Sequence, residues 1–377
     1  MNQPAAGSRS WSERLVRGEW FLSIAAATSL AFMLFDASLF AGLGNPIWLT
    51  VLFVWLFSVV LGSALGVVRH AERISEQLGE PYGTLVLTLS ITAIEVMSIT
   101  AVMMHGEPNP ALVRDTLFAV VMIVLGGMVG TSLLFGALRH REQVHNLQGA
   151  NTYLGVIVPL AVFCLILPNF TVTTPGPLLS PLQGAALALM SIGLYITFLV
   201  LQTGRHRGYF TMGDENHQKH HPVSPEEGSV ALETVLLVAY MVPVVFLVDH
   251  LARPIDYITE TLHAPAAIGG VIMAVLVATP EAIGAVRAAL DDHLQRSVNI
   301  SLGSVLSTIG LTVPSMLGVG WLTGHEIVLG LEQTSIVLLL LTLAVSVITF
   351  ASGRTNLMQG SVHVLLFLSF LLLMFEG

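Results

Sequence analysis

Apolar runs long enough to cross a lipid bilayer recur along the whole chain, and they restrict its fold more than any other feature. Eleven such runs are centred in 21–43, 46–68, 83–104, 116–138, 152–170, 181–202, 229–250, 265–289, 297–320, 333–352 and 358–375. A spanning helix needs roughly 17–25 residues. Within a bilayer the backbone must satisfy its own hydrogen bonds, so each run reads as a helix. With 54% hydrophobic and 10% charged residues, against about 25% charged in a soluble domain, the chain is an integral membrane protein. The net charge of −9 carries no basic cluster and gives no reason to expect a nucleic-acid partner. Cys164 is the single cysteine and cannot form an intrachain disulfide. The run from Trp20 is too long for a signal-peptide core and reads as an uncleaved first span.

The basic residues predict an orientation. With the N-terminus in the cytoplasm, thirteen lie inside, among them Arg9, Arg14, Arg17, Arg69, Arg73, Arg139 and Arg141. Only Arg114 and Arg253 lie outside. By the positive-inside rule this places the C-terminus in the periplasm.

The most informative stretch runs from Ala266 to Pro314. Thirteen apolar or glycine residues lead into Thr279-Pro280-Glu281. A carboxylate within a span is costly, and a proline beside it removes a backbone donor and breaks the ladder. The next span carries Ser297, Ser301, Ser304, Thr308 and Thr312 at offsets of 0, 4, 7, 11 and 15, which fall on one helical face. Glu95 lies in another span, with Thr88, Thr92 and Ser98 on its face.

The two acids sit in related surroundings. Pro81 precedes Glu95 by fourteen residues, and Pro265 precedes Glu281 by sixteen. In the spans that follow, Gly126-Gly127-Met128-Val129-Gly130-Thr131 aligns with Gly303-Ser304-Val305-Leu306-Ser307-Thr308. One span begins inside and its counterpart outside. The expected fold is therefore all-α, with two inverted five-helix repeats over 46–202 and 229–377. An N-terminal segment 1–20 and an extra first helix 21–43 precede them, and a cytoplasmic acidic, histidine-rich linker 203–228 joins them. Such repeats place substrate at their interface near the midplane. The linker's His217, His220, His221, Asp214 and Glu215 lack a metal-ligand spacing and read as solvated.

Hard cations take oxygen ligands, and two carboxylates match a divalent charge. The expected cation and proton site is Glu95 and Glu281, with Thr92, Thr279, Ser98, Ser304 and Thr308 completing the shell. Both acids are expected as the metal ligands. Pro280, Gly126, Gly127 and Gly303 are expected to supply the helix break and close packing. Two carboxylates in a water-poor site favour holding protons when no cation is bound, so cation and proton compete for the same oxygens. Alternating access then gives antiport. A passive cation channel is the alternative. An intramembrane enzyme is disfavoured, because the paired acids are glutamates and no Gly-x-Gly-Asp is present. Asp115, Asp291, Asp292 and Arg296 lie at span ends, and His363 reads as a packing residue.

The segments Arg69-His70-Ala71-Glu72, Gly79-Glu80-Pro81-Tyr82-Gly83, Arg114-Asp115-Thr116-Leu117, Gly303-Ser304-Val305-Leu306 and Gly353-Arg354-Thr355-Asn356 resemble bacterial calcium (sodium)/proton antiporters. These form part of the cation/proton exchanger branch of the calcium/cation antiporter superfamily. The resemblance is collinear from about residue 45. It implies an eleven-span inner-membrane protein that exports calcium, or sodium or potassium, against protons. It implies no cofactor beyond the transported ion, and partners limited to inorganic cations, protons and lipid. A homo-oligomer is left open. The chain departs from the usual Gly-Asn-x-x-Glu, having Ile91-Thr92-Ala93-Ile94-Glu95 and Val277-Ala278-Thr279-Pro280-Glu281.

Overall fold

Eleven helices long and apolar enough to cross a membrane occur among the described residues of the computed structural model, which are 19–79, 82–105, 109–211, 229–265 and 267–376. They are α1 (Trp20–Phe40), α2 (Pro46–Leu78), α3 (Tyr82–Met103), α4 (Leu112–His140), α5 (Leu147–Phe170), α6 (Pro181–Thr203), α7 (Val230–Thr261), α8 (Ala267–Leu290), α9 (Leu294–Thr323), α10 (Gln333–Phe350) and α11 (Leu357–Phe375). The arginines at 9, 14 and 17, the motif residues Glu80 and Pro81, and linker residues 212–228 lie outside the described residues.

Helix starts follow local chemistry. Asn45 accepts from the amides of Ile47 and Trp48, with Pro46 opening α2. Asn146 caps α5 in the same way, and Ser180 with Gln183 forms a capping box on α6. These side chains satisfy amides that have no partner within their own helix.

Several helices outrun the expected spans. α2 ends at Leu78 and not near residue 68, because 69–78 contains neither glycine nor proline. The helix stops where Gly79 takes a φ of 67°. At about 1.5 Å per residue its 33 residues reach well beyond a bilayer core of about 30 Å. α7 likewise continues past residue 250 to Thr261, through Pro254 and a π-turn at Tyr257–Thr261.

α4 and α9 form the centre. Their apolar stretches are 89% buried in α4 and 72% in α9, against 17% in the peripheral α1. Each contains a π-turn, Ile123–Met128 in α4 and Thr308–Thr312 in α9. α8 lies along α4. Gly270 approaches Thr116 at one end, while His140 and Gln143 bond the Leu290 and Ala289 carbonyls at the other. α3 lies along α9 in the same sense, with Thr100 donating to Met316 and Glu95 meeting Thr312. Each half thus lays its acid-bearing helix against the central helix of the other half.

The outer helices repeat this exchange. α11 rests on α4 at Gly126, inside the π-turn, and at Gly130 just past it, and Tyr195 of α6 rests on Gly310 in the π-turn of α9. α1 is fastened at one end through Glu19, which takes Arg69 at 2.5 Å and the Tyr240 hydroxyl at 2.8 Å. Two short strands, β1 (Gln143–Val144) and β2 (Arg354–Thr355), pair antiparallel beyond the ends of α4 and α10.

Candidate functional site

Both intramembrane glutamates are fastened to one row of hydroxyls on α9. Glu95 is 2% exposed. It accepts from Thr312 Oγ1 at 2.6 Å and from Thr308 Oγ1 at 3.1 and 3.2 Å. Glu281 accepts from Ser304 Oγ. Ser304, Thr308 and Thr312 are successive turns of one face, so the two carboxylates meet adjacent rungs. Glu281 lies within electrostatic reach of Glu95.

The two acids differ in access. Glu281 lines a cavity of about 290 Å³ together with Pro280, Ser304 and Thr88. The cavity extends to Glu72 and Ser75 near the end of α2 and to Asn299 near the start of α9. Glu95 is not part of its wall. Tyr153 stands at the cavity with its hydroxyl bonded by Gln202, 3.1 Å away.

The remaining expected ligands divide. Thr92 and Ser98 flank Glu95 on α3 and are 6% and 1% exposed. Among the described residues neither hydroxyl has a hydrogen-bond partner. A buried hydroxyl without a partner costs about 1–3 kcal/mol, so such groups call for an explanation. Thr279 turns away: its hydroxyl donates to the Val275 carbonyl at 2.5 Å and joins neither acid. Pro280 lies inside α8, so the Leu276 carbonyl lacks its amide partner.

The glycines serve other neighbours than the acids. A Cβ on Gly126 would come within 3.0 Å of Phe367 on α11. Gly127 leaves an ordinary 3.5 Å to the Phe367 ring, and Gly303 leaves 3.7 Å to Tyr153. The tightest contact of the run is at Gly130, 2.7 Å from the Val364 amide.

Thr312, which bonds Glu95, is absent from the expected set. Its signal was its place in the hydroxyl stripe. No group of three or more His, Cys, Asp or Glu side chains able to hold a metal occurs among the described residues. The oxygens gathered here belong to two carboxylates and to hydroxyls, a donor set that suits a hard ion. The span-end residues stay at span ends: Arg114 bonds Asp115 at 2.7 Å, and Asp292 accepts from Gln143 at 2.9 Å.

Comparison with known proteins gives one family. The family model described as sodium/calcium exchanger protein matches residues 48–204 and 232–376. The sodium-potassium/proton antiporter ChaA of Escherichia coli (strain K12) is 36% identical over 319 residues, covering 84% of this chain and 86% of its own. Among solved structures, YfkE superposes with a TM-score of 0.70 at 18% identity, covering 95% of this chain and 100% of that one. The H+/Ca2+ exchanger CAX gives 0.65 at 14% identity, covering 94% and 88%. These two likenesses are of fold.

Proposed function

The chain belongs to the sodium/calcium exchanger family, and from that membership we propose that it is a secondary cation/proton antiporter whose exchange site is the Glu95–Glu281 pair. The observation that carries the site is the attachment of both carboxylates to the single hydroxyl row Ser304, Thr308 and Thr312. Two carboxylates, those hydroxyls and the partnerless hydroxyls of Thr92 and Ser98 offer a hard cation an oxygen shell. Without a cation the oxygens hold protons. A cation arriving through the cavity reaches Glu281 first and displaces them, and Glu95 completes its neutralisation. Alternating access then releases the cation on the far side, where protons return.

The ion is calcium by charge balance. ChaA is named for sodium and potassium and CAX for calcium, so all three belong in the assay. The cation is cargo, and the scheme needs no cofactor and no chemical step on an organic substrate. We assign 46–202 and 229–377 as the inverted halves. The N-terminus and the 203–228 linker are placed in the cytoplasm, and the C-terminus in the periplasm, of a bacterial inner membrane. This orientation rests on the thirteen-to-two division of basic residues.

Flux into proteoliposomes under an imposed pH gradient tests the scheme. The wild type should accumulate cation against its gradient, which a passive channel given only a pH gradient cannot do. Glu95→Gln and Glu281→Gln should each abolish exchange with normal insertion, because glutamine keeps the volume but neither carries charge nor exchanges a proton. Near wild-type calcium movement by Glu281→Gln would end the shared-site mechanism. Because protons compete, apparent cation affinity should strengthen as pH rises.

A further inference from the structure

The fully buried His363, on α11, belongs to no part of the exchange site. Its Nδ1 lies 2.6 Å from the Leu125 carbonyl oxygen, and its Nε2 lies 3.0 Å from Thr349 Oγ1 on α10. A carbonyl can only accept, so Nδ1 carries the hydrogen. In the neutral ring Nε2 then accepts from the Thr349 hydroxyl. Both nitrogens are satisfied without charge.

Leu125 sits inside the π-turn of α4. A π-turn shifts the backbone ladder, and such turns occur often at functional sites. α11 is pressed onto this one: a Cβ on Gly126, inside the turn, would lie 3.0 Å from Phe367 Cβ, and one on Gly130, two residues past it, 2.7 Å from the Val364 amide and 3.1 Å from the His363 carbonyl carbon. From the turn, contact continues to the site. Met128, its last residue, receives the Ser301 hydroxyl at 3.2 Å. Ser301 precedes by one turn Ser304, which holds Glu281. The matching π-turn of α9 holds Glu95 directly through Thr308 and Thr312.

We propose that His363 is a positioning residue for exchange, holding the α4 π-turn by the Leu125 carbonyl in the shape against which α9 and Glu281 are set. The proposal rests on the antiport reading above. It assigns the imidazole a fixed hydrogen-bond donor at Nδ1 and no proton transfer.

Asparagine places an amide N–H where Nδ1 stands, glutamine places one nearer Nε2, and leucine has none. In proteoliposomes His363→Leu should lower the maximal exchange rate on the order of tenfold, the scale of one lost buried hydrogen bond felt in a barrier. Its cation KM should stay within about twofold and its pH profile should keep its shape, since the imidazole is assigned a positioning hydrogen bond and no proton transfer. His363→Asn should recover the rate and His363→Gln should not. If the leucine variant does not fold, the asparagine–glutamine pair alone decides. A slow asparagine variant would overturn the proposal, as would a leucine variant at wild-type rate. So would a displaced pH optimum shared by the leucine and asparagine variants, which would mark a proton relay. Exchange by the wild type and its loss in Glu281→Gln, measured in the same assay, check the antiport reading separately.

Discussion

Thr312 and Thr279 show how helical angle decides which hydroxyl meets a carboxylate. Thr279 stands two residues from Glu281, and positions i and i+2 point to different faces. Its hydroxyl bonds the Val275 carbonyl instead. Thr312 is far from either acid in sequence but lies in register with Ser304 and Thr308, and its hydrogen bond to Glu95 is shorter than those from Thr308. Spacing within one helix made the stripe legible, while nearness in sequence suggested Thr279 for the wrong face. A hydroxyl donor favours the ionised carboxylate over the protonated one. Thr312→Val should therefore tilt the competition toward protons. Apparent cation affinity should fall on the order of tenfold at neutral pH, the scale of a hydrogen bond to a charged group, and recover as pH is raised. Thr279→Val should remain near wild type. Cation titrations of exchange at two pH values check both, and equal damage by the two substitutions would remove the stripe from the mechanism.

The glycine run of α4 announced a close helix approach, but spacing within one helix does not name its neighbour. That neighbour is α11, brought in from the far end of the chain. Gly130→Ala would push a Cβ against the Val364 backbone, whereas Gly127→Ala would meet the Phe367 ring at ordinary distance. The first should destabilise by about 1–3 kcal/mol and the second should be close to neutral. Thermal unfolding in detergent separates them. The β1–β2 junction offers a test by pH. His145 is buried beside Phe350, contacts its carbonyl at 3.3 Å, and is held by burial below the ordinary imidazole value of 6.5. As pH falls, the unfolded chain binds this proton before the folded one does. Its contribution to stability is thus complete above about 6.5 and is lost as pH falls from there toward the folded-state value. The difference in melting temperature between wild type and His145→Asn should narrow across that acid interval. A difference that stays constant from pH 8 to 5 would exclude the linkage.

The whole molecule was the most legible level, because hydropathy alone counts spans and a bilayer permits few ways to fold them. The pairing of Glu95 and Glu281 across the repeat was legible too, from the matched prolines and the matched Gly126 and Gly303 segments. What single-span patterns did not carry was the exchange between halves, in which α3 lies on α9 and α8 on α4. They also did not carry the unequal access of the two acids. That inequality makes orientation testable at the site itself. The cavity that reaches Glu281 runs toward the end of α2 at Ser75 and the start of α9 at Asn299. If the N-terminus is cytoplasmic, α2 descends to the cytoplasm and α9 begins there, so the cavity opens inward. The lone native thiol, Cys164, is buried, which keeps background labelling low. A cysteine at Ser75 should then react with a membrane-impermeant thiol reagent in inside-out vesicles and stay protected in right-side-out ones. Cysteines at Ser8 and Ser224 should follow the same pattern, and one at Gly377 the reverse. Labelling of Ser75 and Ser224 from the outside of intact cells would invert the topology. The step in which the cation meets Glu281 first would then belong to the periplasmic face.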